Sequence, residues 1–342
     1  MPVRPSPTHA ASSGVKIDRK LQQTLAARSD RPGLVYLAQW FACLLTTGGL
    51  VWLARGSLWV WPAMLVYGTM LTVPAYALSH ETAHGTAFRT RWLNETLFWL
   101  SSLIYGEEPL HRRYTHTNHH TYTWHVGLDS QMPFDTPMDL RGWLLEISGA
   151  ALAWFELRTF VRLATARYSD MVRMTTPVSE LPKLTRNARV FLLVYAGLAA
   201  AVLAGQHWLL WYLIVPRLLG TPVMLLFTLI QHVEMQEDAP SILDSTRSFR
   251  TDRLGRFLYM NMNHHIEHHL YPQIPFSSLP ALNAALATQL PAPDPGFWRT
   301  NAEVLLVVAR RSLGRLSKAP SIRQAPRMVA KGHLGTIARS SM

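Results

Sequence analysis

Residues 56–84 read GSLWVWPAMLVYGTMLTVPAYALSHETAH. No ionisable side chain occurs in 56–79, a run longer than the roughly 20 apolar residues that cross a bilayer. It ends directly in His80-Glu81-Thr82-Ala83-His84. A helix continued through that end carries its two imidazoles at i and i+4, on one face. The stretch therefore specifies a membrane span with a pair of metal-type ligands at its foot. Pro62 and Pro74 are tolerable inside it, because neighbouring helices re-satisfy the backbone groups that a proline frees. Upstream, 34–54 is also free of ionisable residues, and Arg55-Gly56 turns the chain between two antiparallel spans.

The next membrane-length region covers 190–232. Residues 190–215 are uncharged, Pro216-Arg217 interrupts, and 218–230 is apolar again. The turn falls either at Gly205-Gln206-His207 or at Pro216-Arg217. The first choice buries Arg217, which costs roughly 2.5 to 3.5 kcal/mol at a helix centre unless the side chain snorkels. Either choice crosses twice, so the expected fold is an all-α integral membrane protein of about four transmembrane helices.

Two later clusters repeat the histidine grammar, His116-Thr117-Asn118-His119-His120 and Asn263-His264-His265-Ile266-Glu267-His268-His269-Leu270-Tyr271-Pro272. Four of the fifteen histidines fall within six consecutive positions of the last one. An even number of crossings between clusters puts all three on one membrane face, as a helical cap. The positive-inside rule identifies that face: Arg4, Lys16, Arg19, Lys20, Arg28 and Arg31 precede the first span, and Arg158, Arg162, Arg167, Arg173, Lys183, Arg186 and Arg189 precede the third. The first turn on the other side holds only Arg55. Both termini and the clusters are expected in the cytoplasm. The chain divides into a basic N-terminal tail (1–33), a membrane domain (34–296) and a basic, disordered C-terminal tail (297–342).

The composition agrees, with 49% hydrophobic residues, 16% charged and twelve tryptophans. The net charge of +12 lies beside the spans and in the C-terminal tail, so it points to anionic lipid rather than to nucleic acid. Cys43 is the only cysteine, which excludes an internal disulfide and a self-built iron–sulfur centre. Leu140, Trp143, Leu144, Ile147, Ala151, Trp154 and Phe155 recur at helical spacing, as an interfacial helix or one packed on the bundle. Ser278 before Leu279-Pro280 suggests a helix start, and that helix is expected to run to about Leu290.

The histidines leave several chemistries open. His80-Glu81-x-x-His84 alone matches the zinc-protease pattern with Glu81 as base, but a catalytic zinc needs only three protein ligands and would leave most of the clusters idle. Axial haem ligands sit within spans, whereas these clusters lie beyond them. A metal transporter needs ionisable ligands along its spans, and the first two have none. Non-haem iron accepts imidazole readily, and two irons could use eight or nine of these ligands.

With these residues the chain resembles the membrane fatty-acid desaturase and hydroxylase superfamily. That family's three histidine boxes are matched here by His80/His84, by His116/His119/His120 and by His265/His268/His269, over roughly residues 34–290. The details of Gly85, Thr115-His116-Thr117-Asn118-His119-His120 and Gly127-x-Asp129 look most like bacterial desaturase or hydrocarbon-oxygenase members, which implies a bacterial inner membrane. The resemblance implies two non-haem irons and dioxygen, used to desaturate a fatty acyl or related lipid substrate. A hydroxylase or O-demethylase would use the same centre, since substrate position selects the outcome.

Eight box histidines leave two irons short of a donor, and His232, at the end of the last apolar segment, is the candidate ninth ligand. Glu81, Asp129, Asn263 and Glu267 adjoin ligands and are candidates to hydrogen-bond them. His111, His125 and His264 flank the boxes, while His9, His207 and His333 have no expected part in the chemistry. No Gly-x-Gly-x-x-Gly turn for a flavin or nicotinamide is present, so electrons must come from a separate ferredoxin, Rieske-type protein or cytochrome. Arg112, Arg113 and Arg162 are candidates to attract it.

Overall fold

A computed structural model describes residues 13–314 apart from 133 and 135. His9 and His333 lie outside the described residues, as does residue 315 onward. In chain order the helices are α1 (Arg19–Leu25), α2 (Asp30–Leu53), α3 (Val60–Ala83), α4 (Arg91–Tyr105), α5 (Pro109–Thr121), α6 (Leu140–Ile147), α7 (Ala150–Ala164), α8 (Asp170–Thr175) and α9 (Leu181–Leu203). A π-helical turn, Leu210–Ile214, leads into α10 (Val215–Leu229), followed by α11 (Ile242–Ser245), α12 (Arg253–Leu258), α13 (His265–Leu270), α14 (Leu279–Leu286) and α15 (Phe297–Ser312).

Three segments are long and apolar enough to cross a membrane: Asp30–Leu53, Val178–Leu203 and Leu210–Leu229. Helix α3, which ends beside the first histidine pair, equals α2 in length at 24 residues. It packs chiefly against α10, α4 and α2, and its second half is almost wholly buried in protein. Thr72, Pro74, Ser79 and Thr82 in that half are accommodated because helices rather than lipid surround them. At Gly68 and Gly220 the two inner helices nearly touch. A Cβ on Gly68 would stand 1.9 Å from the Pro216 carbonyl oxygen, and one on Gly220 would stand 2.1 Å from that of Gly68. Small residues at such a crossing let backbones approach where lipid supplies no hydrophobic drive.

The turn between the later spans falls at Gly205-Gln206-His207, the first of the two choices. The cost of Arg217 is met by capping: its Nε donates to the Ile104 carbonyl at 2.8 Å, and Nη2 donates to that of Tyr105. These are C-terminal carbonyls of α4, where a cation is favoured by the helix dipole. Helix α4 itself was not anticipated from the sequence. Its moderately apolar face lies against α3, where Ser102 Oγ meets Ser79 Oγ at 3.1 Å.

Other expectations are corrected. The apolar pattern over 140–155 forms two helices, not one, because Gly149 adopts φ +76° and a Cβ there would meet Thr221 Cγ2 at 2.6 Å. Helix α14 ends at Leu286, short of Leu290. The basic N-terminal segment packs against the later helices where it is described: Val15 and Leu25 are buried with Ile266, Leu270 and Leu282, and Lys16 and Gln289 exchange two 2.8 Å hydrogen bonds. Disorder from 297 is likewise wrong for Phe297–Ser312. Its Phe297, Val304 and Val308 share one face of α15 in the main core, and Arg311 clasps both carboxylate oxygens of Glu234. Three buried apolar side chains on one face anchor it, although the segment as a whole is polar.

Candidate metal centre

Helix α3 delivers His80 in its last turn and His84 at its C-cap. Helix α5 begins where the Glu108 carboxylate accepts from the N–H groups of Leu110 and His111, and it carries His116, His119 and His120. Helix α13 carries His265, His268 and His269, and His232 follows the end of α10. These nine side chains converge as two groups: His80, His84, His116, His120 and His268, then His119, His232, His265 and His269. Within each group one ligand atom per residue lies within 4.8 Å of all the others. The division follows from helix geometry. At 100° per residue, positions i and i+4 differ by about 40° and point together, while i+3 leans the other way. His116 and His120 therefore serve one group and His119 the other; His265 and His269 serve the second and His268 the first.

Ring orientation is fixed from behind. His119 Nδ1 meets Asp129 Oδ2 at 2.8 Å, and that carboxylate also accepts from the N–H groups of Trp124 and Gln131. Burial works to raise the Asp129 carboxyl, but His119 and these N–H donors outweigh it and hold the group below its ordinary range. His116 Nδ1 faces Gln131 Oε1 at 3.2 Å, His269 Nδ1 faces Thr123 Oγ1 at 3.1 Å, and His232 Nδ1 donates to the Ser245 carbonyl at 3.0 Å. Each leaves Nε2 facing its group. The Nε2 atoms then crowd one another: His84–His116 2.9 Å, His116–His120 3.0 Å, His232–His265 3.0 Å and His265–His269 3.1 Å. His80 and His268, each 1% exposed, have no hydrogen-bond partner on either ring nitrogen. Burial lowers His84 and His232 to about 3 and so holds these two imidazoles neutral. Neutral imidazole is the form that binds a metal ion.

Of the four side chains expected behind the ligands, only Asp129 touches one. Glu81 accepts from Thr86 Oγ1 at 2.6 Å and from the Phe276 N–H at 3.0 Å. Glu267 accepts from Ser248 Oγ at 2.6 Å and from Asn283 Nδ2. Asn263 donates to the Phe249 carbonyl at 2.9 Å. Adjacency in sequence misled here, because a helical neighbour points about 100° away. Gln131, Thr123 and Ser245 were missed; only the closeness of Gln131 and Thr123 to the second cluster hinted at them. His207 is exposed at the far end of the α10 segment from His232. Arg112 is 2% exposed and so cannot attract a partner, whereas Arg113 is partly exposed and paired with Glu95.

Against this geometry, the pattern of the fatty acid desaturase family matches residues 56–301, which includes all nine histidines. The chain belongs to the fatty acid desaturase family. It is similar to sphingolipid delta(4)-desaturase/C4-monooxygenase DES2 of Rattus norvegicus, 28% identical over 67% of each chain. It is also similar to dihydrorhizobitoxine desaturase of Bradyrhizobium elkanii, 26% identical over 84% of each. A third relative is sn-1 oleoyl-lipid 12-desaturase of Arthrospira platensis, 24% identical over 68% of this chain and 70% of that one. The chain is therefore an oxidoreductase of the desaturase type.

In this desaturase a cavity of about 160 Å³ opens beside both histidine groups. His80 and His116 of one group and His119, His232 and His265 of the other line it. Leu152, Phe155, Leu225 and Leu229 form its apolar side, and Glu107, Arg112 and Glu156 lie at a polar side.

Proposed function

We propose that this desaturase is a membrane non-haem di-iron enzyme that uses dioxygen to desaturate a fatty acyl or related lipid substrate. The observation that carries the reading is the division of nine imidazoles, seven of them buried and His84 and His120 half-buried, into five and four. His80, His84, His116, His120 and His268 would hold one iron; His119, His232, His265 and His269 would hold the other. The donor set fits. Metal–imidazole bonds of about 2.1 Å at right angles set donors about 3.0 Å apart, against about 3.4 Å in a tetrahedron. The four Nε2 contacts of 2.9–3.1 Å match the former. Partnerless nitrogens on His80 and His268 are what a metal would satisfy.

Bound iron would supply reductive activation of dioxygen, giving an oxidant strong enough for an unactivated C–H bond. The balance is one CH2–CH2 unit, O2, two electrons and two protons, giving one CH=CH unit and two waters. The residues of the chain do the rest: Asp129, Gln131, Thr123 and the Ser245 carbonyl fix the rings, and the walls of the cavity position the substrate carbon and exclude water. Hydroxylation is the second reading, favoured by the double name of the rat relative, a desaturase and a monooxygenase. A zinc protease is disfavoured, since Glu81 is tied to Thr86 and Phe276 rather than to the centre.

We further place both termini and the centre in the cytoplasm, with α3 as a fourth crossing, on the distribution of basic residues. A bacterial inner membrane fits the Bradyrhizobium relative, matched over 84% of both chains. On α7 the exposed Trp154, Leu157 and Val161 with Arg158 and Arg162 suit contact with the lipid surface. Electrons would come from a separate ferredoxin, Rieske-type protein or cytochrome.

The test is turnover of the purified protein under 18O2 with product analysed by mass spectrometry. An alkene without label, formed only when a separate donor protein accompanies the nicotinamide, is the expected result. A labelled alcohol selects hydroxylation, and turnover with a nicotinamide alone contradicts the need for a donor.

A further inference from the structure

The cavity beside the histidine groups is not the uniformly apolar channel that an unsubstituted hydrocarbon would need. Arg112 is 2% exposed and pairs with Glu107 at 2.7 Å, its guanidinium standing over the rings of Tyr76 and Tyr105. Its Nε and Nη2 have no hydrogen-bond partner, and neither has His111 Nδ1. Glu156, from α7, is 9% exposed, and its Oε2 is also without a partner. All four residues line the cavity. Buried polar atoms are almost always partnered in native proteins, because leaving them bare is costly. Several in one cavity mark a place where a ligand supplies the missing bonds.

Charge indicates which kind. Arg112 is balanced by Glu107. The other cation near Glu156 is Arg217, and it is committed to the carbonyls of Ile104 and Tyr105. Glu156 Oε2 is thus left without a donor while Arg112 Nε and Nη2 are left without an acceptor, so the missing group is one that both donates and accepts, as a hydroxyl or amino group does. Size indicates where the group must sit. A volume of about 160 Å³ is below the roughly 300 Å³ at which sites for whole drug-sized molecules begin, and a sphere of it is roughly 7 Å across. The polar side and the histidines are thus separated by a few bonds of any occupant.

We propose that the substrate is an amphiphile carrying an amino or hydroxyl group within a few bonds of the carbon that is oxidised, and that Glu156 accepts a hydrogen bond from that group. The apolar remainder follows Leu152, Phe155, Leu225 and Leu229. This rests on the histidine groups being the oxidising centre, and it narrows the substrate class from any lipid chain to one with a donor beside the reacting carbon.

The test is binding, read without turnover, on the full-length protein in detergent, both iron-loaded and metal-free. The probes are 2-aminododecan-1-ol and 1-methoxydodecane, which has no donor. The aminoalkanol should bind at least about tenfold more tightly. Glu156→Leu should remove that preference, and Glu156→Gln, which keeps an acceptor of the same shape, should retain most of it. Equal binding of the two probes to the wild type overturns the proposal, and so does a preference that survives Glu156→Leu. If Glu156→Leu does not fold, the wild-type ratio still decides. Absence of iron or of oxidation would instead count against the di-iron reading, since neither enters this measurement.

Discussion

Asp129 belongs to neither histidine group, yet through its contact with Nδ1 it decides how His119 is presented to its own. The carboxylate accepts from His119 Nδ1 and from two backbone N–H groups at once, so the ring cannot turn without breaking a network that is buried. Losing such a partner costs roughly 10- to 100-fold in metal affinity or activity. Asp129→Asn should therefore lower iron retention or activity by about that factor, with thermal unfolding little changed. Glu81→Gln should do the reverse, lowering the unfolding temperature while keeping iron, because Glu81 joins α3 to Thr86 and Phe276. Iron assays beside melting curves separate the two roles. His232 is the residue whose assignment carries the most weight, since without it the second group falls from four nitrogens to three. His232→Ala should lose activity and about half the iron while still inserting in the membrane, and His207→Ala, at the far end of the same segment, should keep both. Full iron content in His232→Ala would remove it from the centre.

At the scale of elements, the nine histidines depend on how closely α3 and α10 approach. Gly68 and Gly220 leave no room for a methyl group between the helices, and α3 carries His80 in its last turn while α10 runs into His232, one in each group. Gly220→Val should push the helices apart, lowering both the unfolding temperature and the iron content. Gly197→Ala, where a Cβ meets nothing within 4 Å, should be silent in both assays. Parallel iron and thermal measurements check the pair. The same elements show what the sequence made legible. The residues in the two groups were readable from His-rich spacing and the position of His232, and their convergence followed from the even number of crossings expected between clusters. Their division was not read, although the offset of i+3 from i+4 contained it. The orienting partners were the opaque part: Gln131, Thr123 and the Ser245 carbonyl come from loops, whose path no periodicity reports. Helix α4 was overlooked because its apolar face is only moderately apolar, and α15 because its three buried apolar side chains are hidden among polar ones.

For the whole molecule, the spans serve to hold a helical cap against the bilayer. Helix α15, expected as part of a disordered tail, and the N-terminal segment close over that cap through Arg311–Glu234 and Lys16–Gln289. A substrate drawn from the membrane would then reach the histidines between α7 and α10, whose side chains line the cavity. The proposed chemistry requires two metal ions, which the nine imidazoles would hold. The most direct test is the metal content per chain of purified, active protein. Two irons per chain, without stoichiometric zinc, is the predicted result; a single metal per chain, or zinc in place of iron in active protein, would contradict the account.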